Sequence, residues 1–277
     1  MIKLISIKEL QKRNFIISVL LIIFLLNSIS VLSQNSKKHN SSVHLKLGLP
    51  VDSDSTDDYL IIRPQYAVSY NSTLNAVNWA GWNLNSSYFG KSGRYEGRFI
   101  TDTTLPLGII RMNHDDYTNT GYDRGHLVRS HERSSNPEDN KSTFFMTNIV
   151  PQTPDLNRGV WLDFERFCEN LVIKQKKELY IYAGGIYKSD STIGKGIRVP
   201  DSCFKIVVAL ERGEGLECVD YNTKIYCVVM PNVQGIRKIK WRKYAVSVTH
   251  IEKSTGYNFL SDVPEKIQGI IEQIVYK

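Results

Sequence analysis

The sequence predicts an α+β protein with a mainly antiparallel central sheet flanked by helices. Short runs rich in β-branched and aromatic residues are separated by Gly, Pro and Asn, and only two stretches show a helical period. The chain of 277 residues is 42% hydrophobic and 23% charged, with a mean hydropathy of -0.26. These values are typical of a globular protein and exclude disordered, collagen-like and polytopic membrane chains.

Six β-rich runs predict the strands of the sheet, and turn residues lie between them. They cover residues 59–63, 66–70, 76–84, 179–183, 204–210 and 224–230.

Two segments predict helices. In the first, apolar residues recur at spacings of four, three and four, and Asp155 and Asn157 mark its start; the apolar positions are Val160, Phe164, Phe167 and Leu171. The second covers residues 264–275, with Pro264 in the first turn. Its predicted apolar face consists of Ile267, Ile270, Ile271 and Ile274.

The N-terminus predicts a secretory signal peptide over residues 1–33. The run from Phe15 to Leu26 is apolar except for Ser18, basic residues precede it, and a cleavage site follows at Ser33. An uncleaved anchor is the alternative, although the run is shorter than the about 20 residues of a membrane-spanning helix. We therefore expect a secreted or periplasmic protein with no stable membrane association after cleavage.

Removal of residues 1–33 lowers the formal charge from +7 to +4, because this segment carries four basic residues and one acid. Residues 34–57 are rich in Ser, Asn, Lys and Asp and predict an exposed, flexible leader. Residues 58–277 are predicted to form a single domain, because no linker or internal repeat interrupts them. The oligomeric state is left open.

The four cysteines permit up to two disulfides in an oxidising compartment. Cys218 and Cys227 flank a predicted turn and are candidates for pairing across a hairpin, whereas Cys168 has the spacing of a buried helical thiol. No C-x-x-C pair is present, so a structural zinc site is not expected.

The strongest chemical signal is the segment Tyr-Asp-Arg-Gly-His at residues 122–126, followed by Asn148, Asn157 and Glu165. Phosphodiester hydrolysis requires a base for water, a cation for the charge on phosphorus and support for the leaving oxygen. His126 is the candidate base, since a His is largely neutral at pH 7. The alternative is that these residues form a surface hydrogen-bonding cluster, in which Asn157 merely caps a helix.

Asn157 and Glu165 are candidate oxygen ligands for a cation. A separation of eight residues corresponds to about 12 Å of helical rise and about 80° of drift, so we expect Asn157 to bind directly and Glu165 to act through water. A single neutral amide ligand is typical of a hard, water-rich cation. Mg2+ is therefore the first choice, with Mn2+ or Ca2+ possible.

Residues 122–126 resemble the signature of the DNA/RNA non-specific endonucleases, the sugar-non-specific nucleases of the ββα-metal superfamily. Residues 143–152 are similar to that family's central strand, and residues 155–161 to its metal-binding helix entry. Further matching segments follow in the family's order at residues 182–185, 229–232 and 251–259.

The resemblance implies a secreted, Mg2+-dependent hydrolase that cleaves DNA and RNA with little sequence specificity. It assigns the general base to His126, the direct Mg2+ ligand to Asn157 and the acceptor acting through water to Glu165. Supporting and phosphate-binding roles fall to Asp123, Asn148 and Arg124. A nuclease-like domain that binds nucleic acid or protein without catalysis is the alternative, and a phosphodiesterase for small nucleotides is a third reading.

Two arginine positions depart from the family pattern. Relatives often carry an Arg four residues after the helical Glu, where this chain has Glu169; Arg129, Arg158 and Arg166 are all candidates to replace it. For the upstream arginine, Arg98 is the nearest candidate and Arg94 the second. A basic segment at residues 235–243 is compatible with a nucleic-acid groove or with a solvated strand edge.

Overall fold

The computed structural model describes residues 42–277, and the predicted signal peptide lies outside the described residues. Within this part of the chain no helix is both long and apolar enough to span a membrane. The strands are β1 (Tyr59–Ile62), β2 (Ala67–Asn71), β3 (Ala76–Leu84), β4 (Asp123–His126), β5 (Ile149–Gln152), β6 (Lys177–Ile186), β7 (Thr192–Ile193), β8 (Ile197–Arg198), β9 (Ser202–Glu211), β10 (Lys224–Pro231) and β11 (Ala245–Val246). The α-helices are α1 (Pro137–Ser142), α2 (Trp161–Ile173), α3 (Val248–Thr255) and α4 (Glu265–Ile271).

Seven strands form one antiparallel sheet in the order β1-β2-β3-β6-β9-β10-β11. The α+β class with a mainly antiparallel sheet is therefore confirmed. All six predicted strands belong to this sheet. Their predicted limits fall within a few residues of the observed ones, because period and turn residues are local signals.

The sheet buries both of its faces. Side chains alternate along a strand, so Ile181 and Ala183 of β6 contribute to the core beneath α2. Tyr180 and Tyr182 point to the opposite core, which also contains Leu45. The helix α2 thus has a fixed platform on one face of the sheet.

The prediction of an exposed leader over residues 34–57 is wrong for residues 43–50, whereas residues 51–57 are mostly exposed. A short 3-10 turn, Val43–Leu45, packs against the sheet, and the side chains of Leu45 and Leu47 are 1% and 0% exposed. The hydroxyl of Tyr182 donates to the Gly48 carbonyl at 2.7 Å. The apolar residues at 43, 45, 47, 49 and 51 alternate with others, a short pattern that the polar composition of residues 34–57 concealed.

Two further expectations need correction. The C-terminal helix is α4, shorter than the predicted 264–275, and of its expected apolar face Ile271 is buried while Ile270 is half exposed. Cys218 is exposed in a turn, Cys227 is buried in β10, and neither forms a disulfide. Cys168 is a buried helical thiol as expected.

The burial of His44 in the packed segment predicts that the protein loses stability in acid. Its Nε2 lies 2.8 Å from the Pro64 carbonyl oxygen, and its Nδ1 accepts a hydrogen bond from the backbone N–H of Asn83. Burial lowers the pKa of His44 to about 4. The stabilising contribution is complete above the unfolded pKa of about 6.5 and is lost as the pH falls towards 4, by up to about 3 kcal/mol.

Urea unfolding at pH 7 and pH 5 will measure this loss. We expect His44→Gln to lose less stability between the two pH values than the wild type, whereas His250→Gln, at an exposed position, behaves as the wild type. An unchanged pH dependence in His44→Gln would contradict the assignment.

Candidate active site

Strands β4 and β5 form a two-stranded antiparallel ribbon, in which His126 pairs with Ile149 and Asp123 with Gln152. The expectation that residues 143–152 form a central strand is therefore wrong: only Ile149–Gln152 is extended, and it lies outside the seven-stranded sheet. A Cβ at Gly125 would lie 2.2 Å from the Gln152 side-chain oxygen. The glycine of the motif thus permits Gln152 to pack on the ribbon.

His126 is held in an aromatic environment. Its ring centroid lies 5.3 Å from that of Phe99 and 4.9 Å from that of Phe144. Its Nε2 is buried and has no hydrogen-bond partner among the described residues. Burial, together with the nearby Arg94 guanidinium, lowers the pKa of His126 to about 3, so the imidazole is neutral at physiological pH and can accept a proton.

Asp123 connects the ribbon to the segment before α2. Its Oδ2 accepts a hydrogen bond from Asn157 Nδ2 at 2.9 Å, and the Arg158 guanidinium binds both carboxylate oxygens. Partial burial opposes ionisation, but the hydrogen bonds from Arg158 and Asn157 outweigh it and lower the pKa of Asp123. Because the amide nitrogen of Asn157 donates its hydrogen bond to Asp123, the amide oxygen remains available to bind a cation.

The residues Leu156–Val160 form a wide π-type turn that leads into α2. Within it Gly159 has φ -116° and ψ -109°, outside the helical region. The regular rise of 12 Å expected between Asn157 and Glu165 therefore does not apply, since Asn157 lies in the distorted turn. Wide turns of this kind are frequent at functional sites.

Glu165 is a buried acid between two cations. Its carboxylate lies 3.5 Å from Arg129 Nε and 3.7 Å from Lys205 Nζ, and its side chain is 7% exposed. Burial raises the pKa of Glu165 to about 7, against the opposing effect of Lys205 and Arg129. The carboxyl is thus balanced between its neutral and ionised forms, and a nearby cation will favour the ionised form.

Lys205 is a site residue that sequence reasoning missed. Its side chain is 1% exposed, and its ammonium lies 4.3 Å from the ring centroid of Trp161 and 5.3 Å from that of Trp82. Both distances are within the range of a cation–π contact. The available signal was a single charge inside the otherwise apolar strand 203–210, which is unusual for a buried strand.

Asn148 supports the site through the backbone. Its Oδ1 accepts the Val128 amide at 2.9 Å, and its Nδ2 donates to the carbonyls of Val128 and Thr143. The side chain is fully buried. Asn148 therefore fixes the chain that follows His126, a geometry that suits the supporting role implied by the resemblance.

The arginines occupy different positions from those expected. Arg124 donates through Nε and Nη2 to the His114 carbonyl, which leaves Nη1 without a partner among the described residues. Arg94 packs over the Phe144 ring at 4.8 Å, on the aromatic group that contacts His126. Arg98 instead pairs with Asp115 at the surface, so of the two upstream candidates it is Arg94 that packs on the aromatic group around His126.

Arg129 contacts both Glu165 and Glu169, the residue at which relatives often carry an arginine. Its Nη1 donates to Glu169 Oε2 at 2.9 Å, while its Nε faces Glu165. Glu169 therefore pairs with the guanidinium of Arg129, which belongs to a different segment of the chain. Of the three candidates, Arg129 contacts Glu165 and Arg158 contacts Asp123.

Comparison with known proteins found several similar sequences. The sequence model of the DNA/RNA non-specific endonucleases matches residues 42–266. A nuclease of Nostoc sp. is 44% identical over 243 residues, which cover 84% of this chain and 86% of the relative. Human mitochondrial endonuclease G is 25% identical over 214 residues, or 73% of this chain and 69% of the relative.

A similar fold occurs in the crystal structure of the EndoG/EndoGI complex. It superimposes with a TM-score of 0.70 at 22% identity and covers 80% of this chain and 92% of that chain. At this identity the likeness concerns the fold alone. Together with the family match over 42–266 and the 44% identity to the Nostoc nuclease, the conclusion is that this chain belongs to the DNA/RNA non-specific endonuclease family, whose members are hydrolases.

Proposed function

We infer that this protein is a secreted, Mg2+-dependent endonuclease that hydrolyses phosphodiester bonds in DNA and RNA with little sequence specificity. The observation that carries the proposal is the neutral His126, whose buried Nε2 is unpaired among the described residues. It lies on a ribbon joined through Asp123 to the Asn157 turn. The order of this ribbon followed by α2 supports the ββα-metal motif that the resemblance implies. The apolar run at residues 15–26 supports secretion.

The residues present fit a divalent cation. Asn157 would hold it through its amide oxygen, because its nitrogen is bound to Asp123, and Glu165 would reach it through water. One neutral ligand and one nearby carboxylate suit Mg2+, with Mn2+ or Ca2+ as alternatives. When bound, the cation would stabilise negative charge on the phosphate and leaving oxygen.

The chain's own groups perform the remaining steps. His126 accepts a proton from the water that attacks phosphorus, a role that requires the neutral ring. Arg94 and the free Nη1 of Arg124 supply positive charge for the phosphate oxygens. Phe99 and Phe144 restrict the ring of His126 to one position, which lowers the cost of orienting the base.

Loss of the base tests this mechanism. We expect His126→Ala to lower kcat on plasmid DNA and on RNA by about 10²- to 10⁴-fold, the usual contribution of a general base. His250→Ala, which removes an exposed imidazole in α3, should retain activity. Wild-type kcat in His126→Ala would refute the assignment.

Loss of the amide ligand tests the metal site. Excess EDTA should abolish cleavage, and Asn157→Ala should require a higher Mg2+ concentration for half-maximal rate because only water-mediated contacts remain. The Mg2+ dependence and Mn2+ binding by electron paramagnetic resonance measure this. The exposed Asn222→Ala serves as the control, and undiminished activity in EDTA would exclude a metal mechanism.

The charge at Lys205 predicts a change in pH dependence. Removal of the ammonium in Lys205→Met leaves Arg129 as the remaining counter-charge that contacts Glu165, so the pKa of Glu165 rises. If the ionised carboxylate is the active form, the acid limb of the kcat/KM profile moves to higher pH. Lys205→Arg, which keeps the charge, should move it less; equal profiles for Lys205→Met and wild type would contradict the prediction.

A further inference from the structure

A basic trough, defined by shared lining residues, begins along the exposed side of α2 and ends beside Arg94. It consists of three concave segments of about 300, 410 and 230 Å³. The first and second share Arg166, and the second and third share Arg129 and His131. The shared residues join the three segments into one surface, which we call the basic trough.

The basic trough carries a large excess of positive charge. Seven Lys or Arg side chains line it, against the two acids Asp163 and Glu169, and Glu169 is already paired with Arg129. By contrast, Arg166, Lys238 and Lys240 form no ion pair with any residue in the part of the chain that the structure describes. These cations are available to an external anion.

The far end of the trough is a firmly anchored loop at residues 235–240. Ile236 and Trp241 are buried in the core beneath α2 and Ile239 packs against it, while Arg237, Lys238 and Lys240 are exposed. The Gly235 amide donates to Asp155 at 2.7 Å. A Cβ at Gly159 would lie 2.7 Å from the Cα of Arg237, so the glycine allows the loop to lie directly against the Asn157 turn.

The trough passes the proposed site along its length. Arg158 at one end binds Asp123, Arg129 in the middle contacts Glu165, and Arg94 at the other end lies on the Phe144 ring beside His126. From Leu162 to Asn170, α2 contributes about 12 Å of rise. This length corresponds to between three and four nucleotide steps at about 3.4 Å per strand, and the loop extends it further.

We propose that the loop cations Arg237, Lys238 and Lys240, with Arg166, bind backbone phosphates of a polynucleotide several nucleotides from the scissile bond. The inference rests on the proposed nuclease function and deepens it, because it identifies a long nucleic-acid chain, not a small nucleotide, as the substrate class. Contacts between these cations and backbone phosphates would give affinity that does not depend on sequence, because phosphates are the same at every nucleotide.

A matched pair of triple variants tests the trough. The first combines Arg237→Gln, Lys238→Gln and Lys240→Gln. The control combines Lys46→Gln, Lys253→Gln and Lys266→Gln, which are exposed residues outside the trough and change the net charge equally. Circular dichroism and thermal unfolding verify that both variants fold.

Binding is measured separately from cleavage. In a His126→Ala background with EDTA, fluorescence anisotropy gives the Kd of a labelled oligonucleotide long enough to fill the trough, over a series of salt concentrations. We expect the trough variant to bind more weakly, and its slope of log K against log salt to be smaller by about 2 for a single strand and about 3 for a duplex, since each phosphate contact contributes about 0.7 or 0.9.

Cleavage provides the second readout. In the active enzyme with Mg2+, the ratio of kcat/KM for long DNA to kcat/KM for a dinucleotide should fall in the trough variant and remain at the wild-type value in the control. A wild-type Kd and salt slope in the trough variant would overturn the proposal, as would an equal loss in the control. If the wild type does not cleave DNA or RNA with metal, the proposed function is wrong. The binding measurement then still tests whether the trough binds nucleic acid.

Discussion

The geometry of the site depends on the contacts that the Asp123 carboxylate makes with Asn157 and Arg158. These contacts join β4 to the turn before α2, two segments that lie 34 residues apart along the chain. The carboxylate accepts a hydrogen bond from the amide nitrogen of Asn157, so the amide oxygen remains for a cation. Its contact with Arg158 favours the ionised form of Asp123. The contact thus adds a side-chain connection between the strand that carries the base and the turn that carries the ligand.

Charge balance inside the fold is the second constraint. A buried carboxylate such as Glu165 is strongly destabilised unless cations lie beside it, and this protein draws them from two directions. Lys205 approaches from the sheet, held between Trp82 and Trp161, and Arg129 approaches from the loop after β4. The central sheet is therefore more than a platform for α2, because β9 contributes directly to the electrostatics of the site.

The distribution of charge also relates the fold to its proposed substrate. A formal charge of +7 for the chain, or +4 without residues 1–33, gives little preference for polyanions. What matters is that seven cations line one trough beside the site. Local concentration of charge increases both the affinity and the rate of encounter with a polyanion, even when the net charge is modest.

The sequence alone determined the features that depend on neighbours along the chain. Strand period and turn residues predicted the six sheet strands, and the spacing of Val160, Phe164, Phe167 and Leu171 predicted α2. The motif at residues 122–126 with Asn157 and Glu165 identified the chemistry. These signals are local, so they are readable without the fold.

Only the tertiary structure decided which distant side chains complete the site. It placed Arg94 on the aromatic group around His126 and Arg98 at the surface, paired Arg129 with Glu165 and Glu169, and brought Lys205 beneath α2. It also showed that Leu45 and Leu47 belong to the core. The physical reason is that these contacts depend on strand order, register and the distorted turn at Gly159, which bring together segments whose separation along the chain carries no information about their distance in space.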